Sequence, residues 1–364
     1  MNFEISYVPS KLITTKDMLS YQKIISEEKS KIDKVDKQWN RIKRNIHEYE
    51  YIYTSPNKNR NLSQIVPISR SYFKLKEMIV DFKINFEQSI IFCMGEAPGG
   101  FVQSILEYKD NISKIYANTL LSENKDVPNW NHNLKKESLI DFYSGIQGDG
   151  DLRDMNNLLS YIKYIGNNSV DFITGDGGFD YSEDYNKQEF NSLPLIYSEI
   201  FLALNLLKKG GDFICKVFDI FLKSTIQLLY ILTLSFERVS IQKPRFSRLS
   251  NSEKYIVCEK YKGYNKRLNN LLFRSFQSTN IEIQIDENFN AVLDDFNKEY
   301  SKTQINQIKK GLSLIHKNKI MNTPSLKQIN EGINWCQKYN VPINQSCYYI
   351  RGQSLHSRDS SAPE

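Results

Sequence analysis

The sequence predicts an α/β fold with a mainly parallel sheet. Short apolar runs alternate with amphipathic stretches between residues 90 and 261, the first run ends in a glycine-rich turn, and two later runs end in charged residues. Residues 15–49 read as helix, because Ile32, Val35, Trp39, Ile42 and Ile46 recur on one face. Lys34, Lys37, Arg41 and Arg44 lie on its other face, as a solvated surface or an RNA-facing ridge. After a polar loop, residues 69–82 form a second helix with Leu75, Met78, Ile79 and Phe82 inward. Residues 90–94 form a strand that runs into Gly95-Glu96-Ala97-Pro98-Gly99-Gly100, and residues 101–108 a helix. Strands follow at 114–118 and 170–174, then a helix at 188–207 with Gly210-Gly211 as its stop. A strand at 212–217, a helix at 222–234 and strands at 236–242 and 255–261 complete the alternation. Beyond Gly263 the pattern is polar helices, with Thr323-Pro324 as the cap and first position of one carrying Leu326, Ile329, Ile333, Cys336 and Tyr339.

Hydrophobic residues at 40% and charged residues at 25% of 364 positions predict a sizeable core. Four His and five Cys are too scattered for a disulfide framework or a metal site, so no metal is expected. No apolar run approaches a membrane span and no secretion signal is apparent, so an intracellular protein, cytoplasmic or nuclear, is expected, with no membrane partner. A net charge of +6 suits a polyanionic partner but is weak evidence for one.

In an open α/β sheet, ligands bind beyond the carboxyl ends of the strands. There Gly95, Gly99 and Gly100 allow close approach of backbone to a ligand, and Glu96 places a carboxylate beside its cationic or ribose part. The spacing matches neither a dinucleotide fingerprint nor a P-loop, which favours a nucleotide without a pyrophosphate, such as S-adenosylmethionine. Asp176 ends the strand at 170–174 among glycines, and Lys216 closes an apolar strand. A buried ammonium needs a partner, and Asp176 is the obvious one.

In order, Ser69-Arg70-Ser71-Tyr72-Phe73-Lys74-Leu75, Glu96-Ala97-Pro98-Gly99-Gly100-Phe101, Asp176-Gly177-Gly178-Phe179, the run from Gly210 to Asp219 around Lys216, and the run from Lys243 to Tyr255 around Glu253 resemble the motifs of the FtsJ-like ribose 2′-O-methyltransferases, in particular their cap-specific mRNA branch. The resemblance covers about residues 69–261. It implies a Rossmann-like methyltransferase fold with a mainly parallel seven-stranded sheet, with S-adenosylmethionine as cofactor and RNA as substrate. It divides the chain into an N-terminal helical extension (1–66), the methyltransferase domain (67–263), a C-terminal helical extension (264–354) and a tail (355–364) expected to be disordered. The family's Lys-Asp-Lys-Glu tetrad falls on Lys74, Asp176, Lys216 and Glu253. Lys76 is the alternative first lysine, but a helix turns it about 200° away. In this reading Lys216 is the general base, its pKa lowered by Lys74 and the apolar strand, while Asp176 and Glu253 hold the ammonium groups. Cofactor contacts are expected from Gly95, Glu96, Ala97, Pro98, Gly99, Gly100, Phe101, Asp176, Asp151 and Leu152, with Asn118 where such folds often hold ribose with a carboxylate. Asp151 or Asp154 also suits a helix cap. Lys243, Arg245, Ser247 and Arg248 are the expected RNA contacts.

Glu96 and the block from Gly210 to Cys258 favour a capped mRNA 5′ end, methylated on its first transcribed nucleotide, over ribosomal RNA. The rivals are another RNA 2′-O-methyltransferase and a non-catalytic RNA-binding scaffold. A partner protein of the capping apparatus is a further expectation for the terminal helices.

Overall fold

A computed structural model describes residues 2–5, 17–178 and 185–351. In chain order the elements are β1 (Asn2–Ile5), α1 (Asp17–Asp33), α2 (Asp36–Ile46), α3 (Ser71–Phe82), β2 (Ser89–Met94), α4 (Gly100–Ile105), β3 (Ile112–Ala117), β4 (Ile140–Phe142) and α5 (Met155–Ile165). They continue as β5 (Val170–Gly175), α6 (Gln188–Leu206), β6 (Leu207–Val217), α7 (Lys223–Ser235), β7 (Phe236–Gln242), β8 (Lys254–Tyr261), α8 (Lys266–Ser275), α9 (Glu287–His316) and α10 (Leu326–Lys338).

The strands lie in the order β1-β7-β8-β6-β5-β2-β3-β4. From β2 to β6 all pairings are parallel, and β8 returns antiparallel between β6 and β7. This is the seven-stranded, mostly parallel sheet the sequence predicts, with β1 added antiparallel on β7 at one edge. The strand order reverses at β2, so the turn after β2 sits at the switch point of the sheet. The near-continuous apolar strands have side chains on both faces buried. Phe92, Ile173, Phe213 and Cys215 face the cluster beneath α5, α6 and α7, whereas Ile91, Cys93, Ile115 and Ile214 face the one beneath α3 and α4.

The appended helices pack onto this body. Trp39, Ile42 and Ile46 of α2 meet Ile308 of α9. A Cβ at Gly311 would sit 2.5 Å from the Trp39 indole, so glycine at that position lets the ring lie against α9. Tyr72 and Phe73 on α3 pack with Trp335 of α10 and with Phe246, and the Phe73 and Phe246 rings lie 4.8 Å apart. Hence α3 is covered on one side by the sheet and on the other by α10.

Three local expectations differ from the structure. The long first helix is two helices with a turn at Lys34-Val35, which keeps the α2 stripe on α9. Gly210-Gly211 is no helix stop: α6 ends at Leu206 because buried Leu207 already pairs with Val170, and the glycines form an excursion before pairing resumes at Asp212. The cap of α10 is Ser325, whose hydroxyl accepts from Gln328 N while Gln328 reaches back to Ser325 N, so Thr323 is two residues too early. Strand β4 carries only three residues and no alternation from which to read it. Residues 355–364 lie outside the described residues, as does Phe179. Among the described residues no helix is long and apolar enough to cross a membrane.

Candidate active site

Parallel strands deliver side chains to one edge of the sheet, and the antiparallel β8 begins at that same edge. Asp176 follows β5, Lys216 is the penultimate residue of β6, and Lys216 pairs in register with Tyr255 of β8, which brings Glu253 alongside. Lys74 arrives from the first turns of α3. Residues separated by 179 positions therefore meet: Lys74 Nζ lies 2.7 Å from Glu253 Oε1. Lys216 Nζ donates to the Asp176 carbonyl at 2.6 Å and stands 3.2 Å from its Oδ1, and the Tyr255 hydroxyl donates to that oxygen at 3.0 Å. Lys76 turns away and pairs with Glu107.

The electrostatics departs from expectation at one point. Burial opposes charge on Lys216, but Asp176, Glu253 and Glu199 outweigh it and hold the ammonium above the ordinary lysine range. The lowered pKa expected for Lys216 is corrected accordingly: Lys74 pairs with Glu253, and the groups around Lys216 are mainly carboxylates. Burial would likewise raise Glu253, yet Lys74, Lys243 and Lys216 overcome it and hold its carboxyl at about 2.

Beside this cluster opens a cleft of about 640 Å³. Gly95, Glu96, Ala97, Pro98, Asn118, Asp151, Leu152 and Asp176 line it, as do Lys216 and the segment around Val127. Gly99, Gly100 and Phe101 do not: Gly99 lies under Leu134, Gly100 under Ser69 and Ser71, and Phe101 is buried in the core. Among the described residues of the cleft, one group is orphaned. Glu96 is buried and its Oε1 accepts from Phe101 N, but its Oε2 has no hydrogen-bond partner. Burial, with the Asp176 charge second, pushes the Glu96 carboxyl well up. A ligand donor reaching Oε2 would satisfy it.

A profile of the FtsJ-like methyltransferases matches residues 67–261, more than half of the chain. The chain belongs to the FtsJ-like methyltransferase family. The cap-specific mRNA (nucleoside-2′-O-)-methyltransferase 1 of Mus musculus is 32% identical over 247 residues, covering 62% of this chain and 29% of the mouse protein. The Xenopus laevis protein of the same name is 30% identical over 292 residues, 74% of this chain and 32% of its own length. The human one is 35% identical over 173 residues, covering 46% and 20%. The chain thus spans at most about a third of the length of these relatives.

Within this FtsJ-like frame, several residues take roles that their motifs did not disclose. Asn118 braces the site: Gly95 N donates to its Oδ1 at 3.3 Å, and its amide donates to Gly150 O at 3.0 Å and to the Tyr161 hydroxyl. Asn118 thus ties the two loops that wall the cleft, and it also lines the cleft at the place where a ribose contact is expected. Asn118→Ala is expected to destabilise the fold by about 1–3 kcal/mol through unpaired buried groups, read as a lowered midpoint in urea; an unchanged midpoint would refute the bracing role. Asp151 is held by Arg153 at 2.7 Å, and the cap of α5 is Asp154, which accepts from Asn157 N at 3.0 Å.

Lys243 and Ser247 point inward, so the expected phosphate contact is corrected for both. Lys243 donates to the backbone of Asn251 and Glu253 at 2.9 and 2.6 Å, and the Ser247 hydroxyl donates to Glu253 Oε1 at 3.0 Å. Both secure the loop that carries Glu253. Arg248 is paired with Glu50 at 2.8 Å, and Arg245 is exposed. Tyr255 carried no motif signal of its own, since only register places its hydroxyl on Asp176.

Proposed function

We propose that this protein transfers a methyl group from S-adenosylmethionine to the ribose 2′-OH of the first transcribed nucleotide of capped mRNA, converting cap 0 to cap 1. The observation that carries the reading is the convergence of Lys74, Asp176, Lys216 and Glu253 beside a cleft containing the orphaned Glu96 oxygen. The residues present suit the cofactor: Glu96 Oε2 offers an acceptor to its amino or ribose hydroxyl groups, Leu152 an apolar face to adenine, and Asp151 an acceptor to the exocyclic amine. S-adenosylmethionine supplies a methyl carbon on a sulfonium, whose positive charge also opposes protonation of a nearby lysine.

A ribose hydroxyl is a weak nucleophile, so its proton must leave as the oxygen attacks. Lys216, once deprotonated to the amine, takes that proton. Asp176 orients Lys216 through two contacts, and Tyr255 holds Asp176. Glu253 fixes Lys74, whose ammonium stabilises negative charge developing on the oxygen. Arg248, which lines the hollow described next, and the exposed Arg245 are the remaining phosphate contacts of their segment.

A second hollow, of about 240 Å³, supports the choice of a capped substrate. It lies on the Glu253 side of the cluster and is lined by Asp36, Trp39, Lys43, Phe218, Arg248 and Glu253. A methylated guanine is cationic and flat, which suits aromatic edges beside carboxylates, and the two cations suit phosphate. Short capped and uncapped RNAs offered with tritiated S-adenosylmethionine test this directly. At least a tenfold preference for the capped RNA is expected, about the contribution of one stacking contact. Equal rates on both RNAs would move the function to another RNA.

A further inference from the structure

We propose that Glu199 is a positioning residue for this reaction, holding the Asp176 turn from behind and setting the pH at which Lys216 can accept a proton. The inference rests on the proposed methyl transfer and adds a residue outside the Lys-Asp-Lys-Glu set.

Glu199 lies on α6 and is 0% exposed. Its Oε1 accepts from Gly177 N at 3.2 Å, and its Oε2 accepts from the Cys215 thiol at 3.3 Å. The carboxylate thus grips the backbone just after Asp176 and the residue just before Lys216. Packing at this contact is tight on both sides of Asp176. A Cβ at Gly175 would stand 2.6 Å from Glu199 Oε2, and one at Gly177 would stand 2.7 Å from Oε1. From the front, Lys216 Nζ donates to the Asp176 carbonyl at 2.6 Å. The turn is therefore clamped between a carboxylate behind and an ammonium before it.

No lysine or arginine pairs directly with Glu199 among the described contacts, and its burial pushes its carboxyl up to about 7. Its charge is felt by Lys216 across the turn. The groups facing Lys216 are Asp176 on the β5 turn, Glu96 on the loop after β2, Glu253 and Tyr255 on and before β8, Cys215 on its own strand and Glu199 on α6; Lys74 and Lys243 stand beyond Glu253. Removing one carboxylate from this set makes the ammonium easier to deprotonate. Glu199→Gln keeps an acceptor for Gly177 N while removing the charge, and Glu199→Leu removes both.

The test is the pH profile of kcat, with KM for RNA measured alongside. In Glu199→Gln the acid limb is expected to move to lower pH than in wild type. In Glu199→Leu, kcat is expected to fall at least tenfold while KM for RNA stays within twofold, as the Asp176 turn loses its backing. A Glu199→Gln limb that coincides with wild type overturns the proposal, as does a Glu199→Leu variant that folds and keeps full kcat. Absence of methyl transfer in the wild-type protein would remove the proposed function and this role together, whereas an active wild type with an unmoved Glu199→Gln limb removes only the role of Glu199.

Discussion

Lys216→Ala is expected to lower methyl transfer by about 10³-fold, the range of a positioned general base, while S-adenosylmethionine binding changes by less than a few-fold. The reason lies in the geometry. Lys216 donates to the Asp176 carbonyl and stands beside its carboxylate, and the described cluster holds no second amine that could take its place: Lys74 pairs with Glu253, and Lys243 is buried against the backbone of Asn251 and Glu253. Because neighbouring carboxylates hold Lys216 as an ammonium at neutral pH, the wild-type rate should climb with pH as that proton is lost. The variant should show no such climb. Truncation also leaves the half-buried Asp176 without its cation, so folding must be verified by equilibrium cofactor binding at low temperature. A Lys216→Ala protein that binds the cofactor and methylates at the wild-type rate would end the assignment of Lys216 as base.

Glu253→Gln is the second large effect, and it appears in stability as well as rate. The folded carboxyl sits at about 2 against an ordinary value of 4.5, a depression worth about 3 kcal/mol. The sign follows from linkage. A group with a depressed folded pKa contributes stability that is fully present above its unfolded pKa and lost as pH falls through its folded one. Wild type should therefore exceed Glu253→Gln by about that amount at neutral pH, and the gap should close between pH 4.5 and pH 2. Urea unfolding of both proteins across that window reads the effect. A gap that persists undiminished to pH 2 would show that Lys74 does not hold the glutamate by charge. Methyl transfer should fall as well, since Lys74 loses the partner that fixes its ammonium.

Strands with buried residues on both faces announce themselves as apolar runs, which is why β2, β5, β6, β7 and β8 were legible to within a few residues. The glycine-rich turn and the charged strand ends were legible for a related reason: a lysine or aspartate closing an apolar strand stands out against its surroundings. Helix ends were less so. Ser325 rather than Thr323 caps α10, and α6 ends at Leu206 where Leu207 begins β6 rather than at Gly210, because a cap needs a bond geometry and a strand needs a neighbour, and neither is written in composition.

The pairwise connections of the site lay further out of reach. Lys243 and Arg248 are equally basic in the chain, yet one is folded inward onto the Glu253 loop and the other onto Glu50 at the rim. Asn118 was placed at the correct strand end, but only the approach of the loop at Gly150 showed that its amide joins two walls. Glu199 sits in a helix whose side chains are almost all buried, without a motif, and it acquires meaning only because α6 packs behind β5.

By itself, then, the chain determined the central alternation of strands and helices, the edge at which chemistry-bearing residues emerge, and the identity of the four charged residues brought there, since these follow from local pattern and from motifs contiguous in the polymer. Tertiary structure alone decided which charge meets which, whether Lys216 holds its proton, and how the terminal helices frame a second hollow. Those outcomes depend on distance and burial between segments far apart in sequence, and electrostatic energy varies with both.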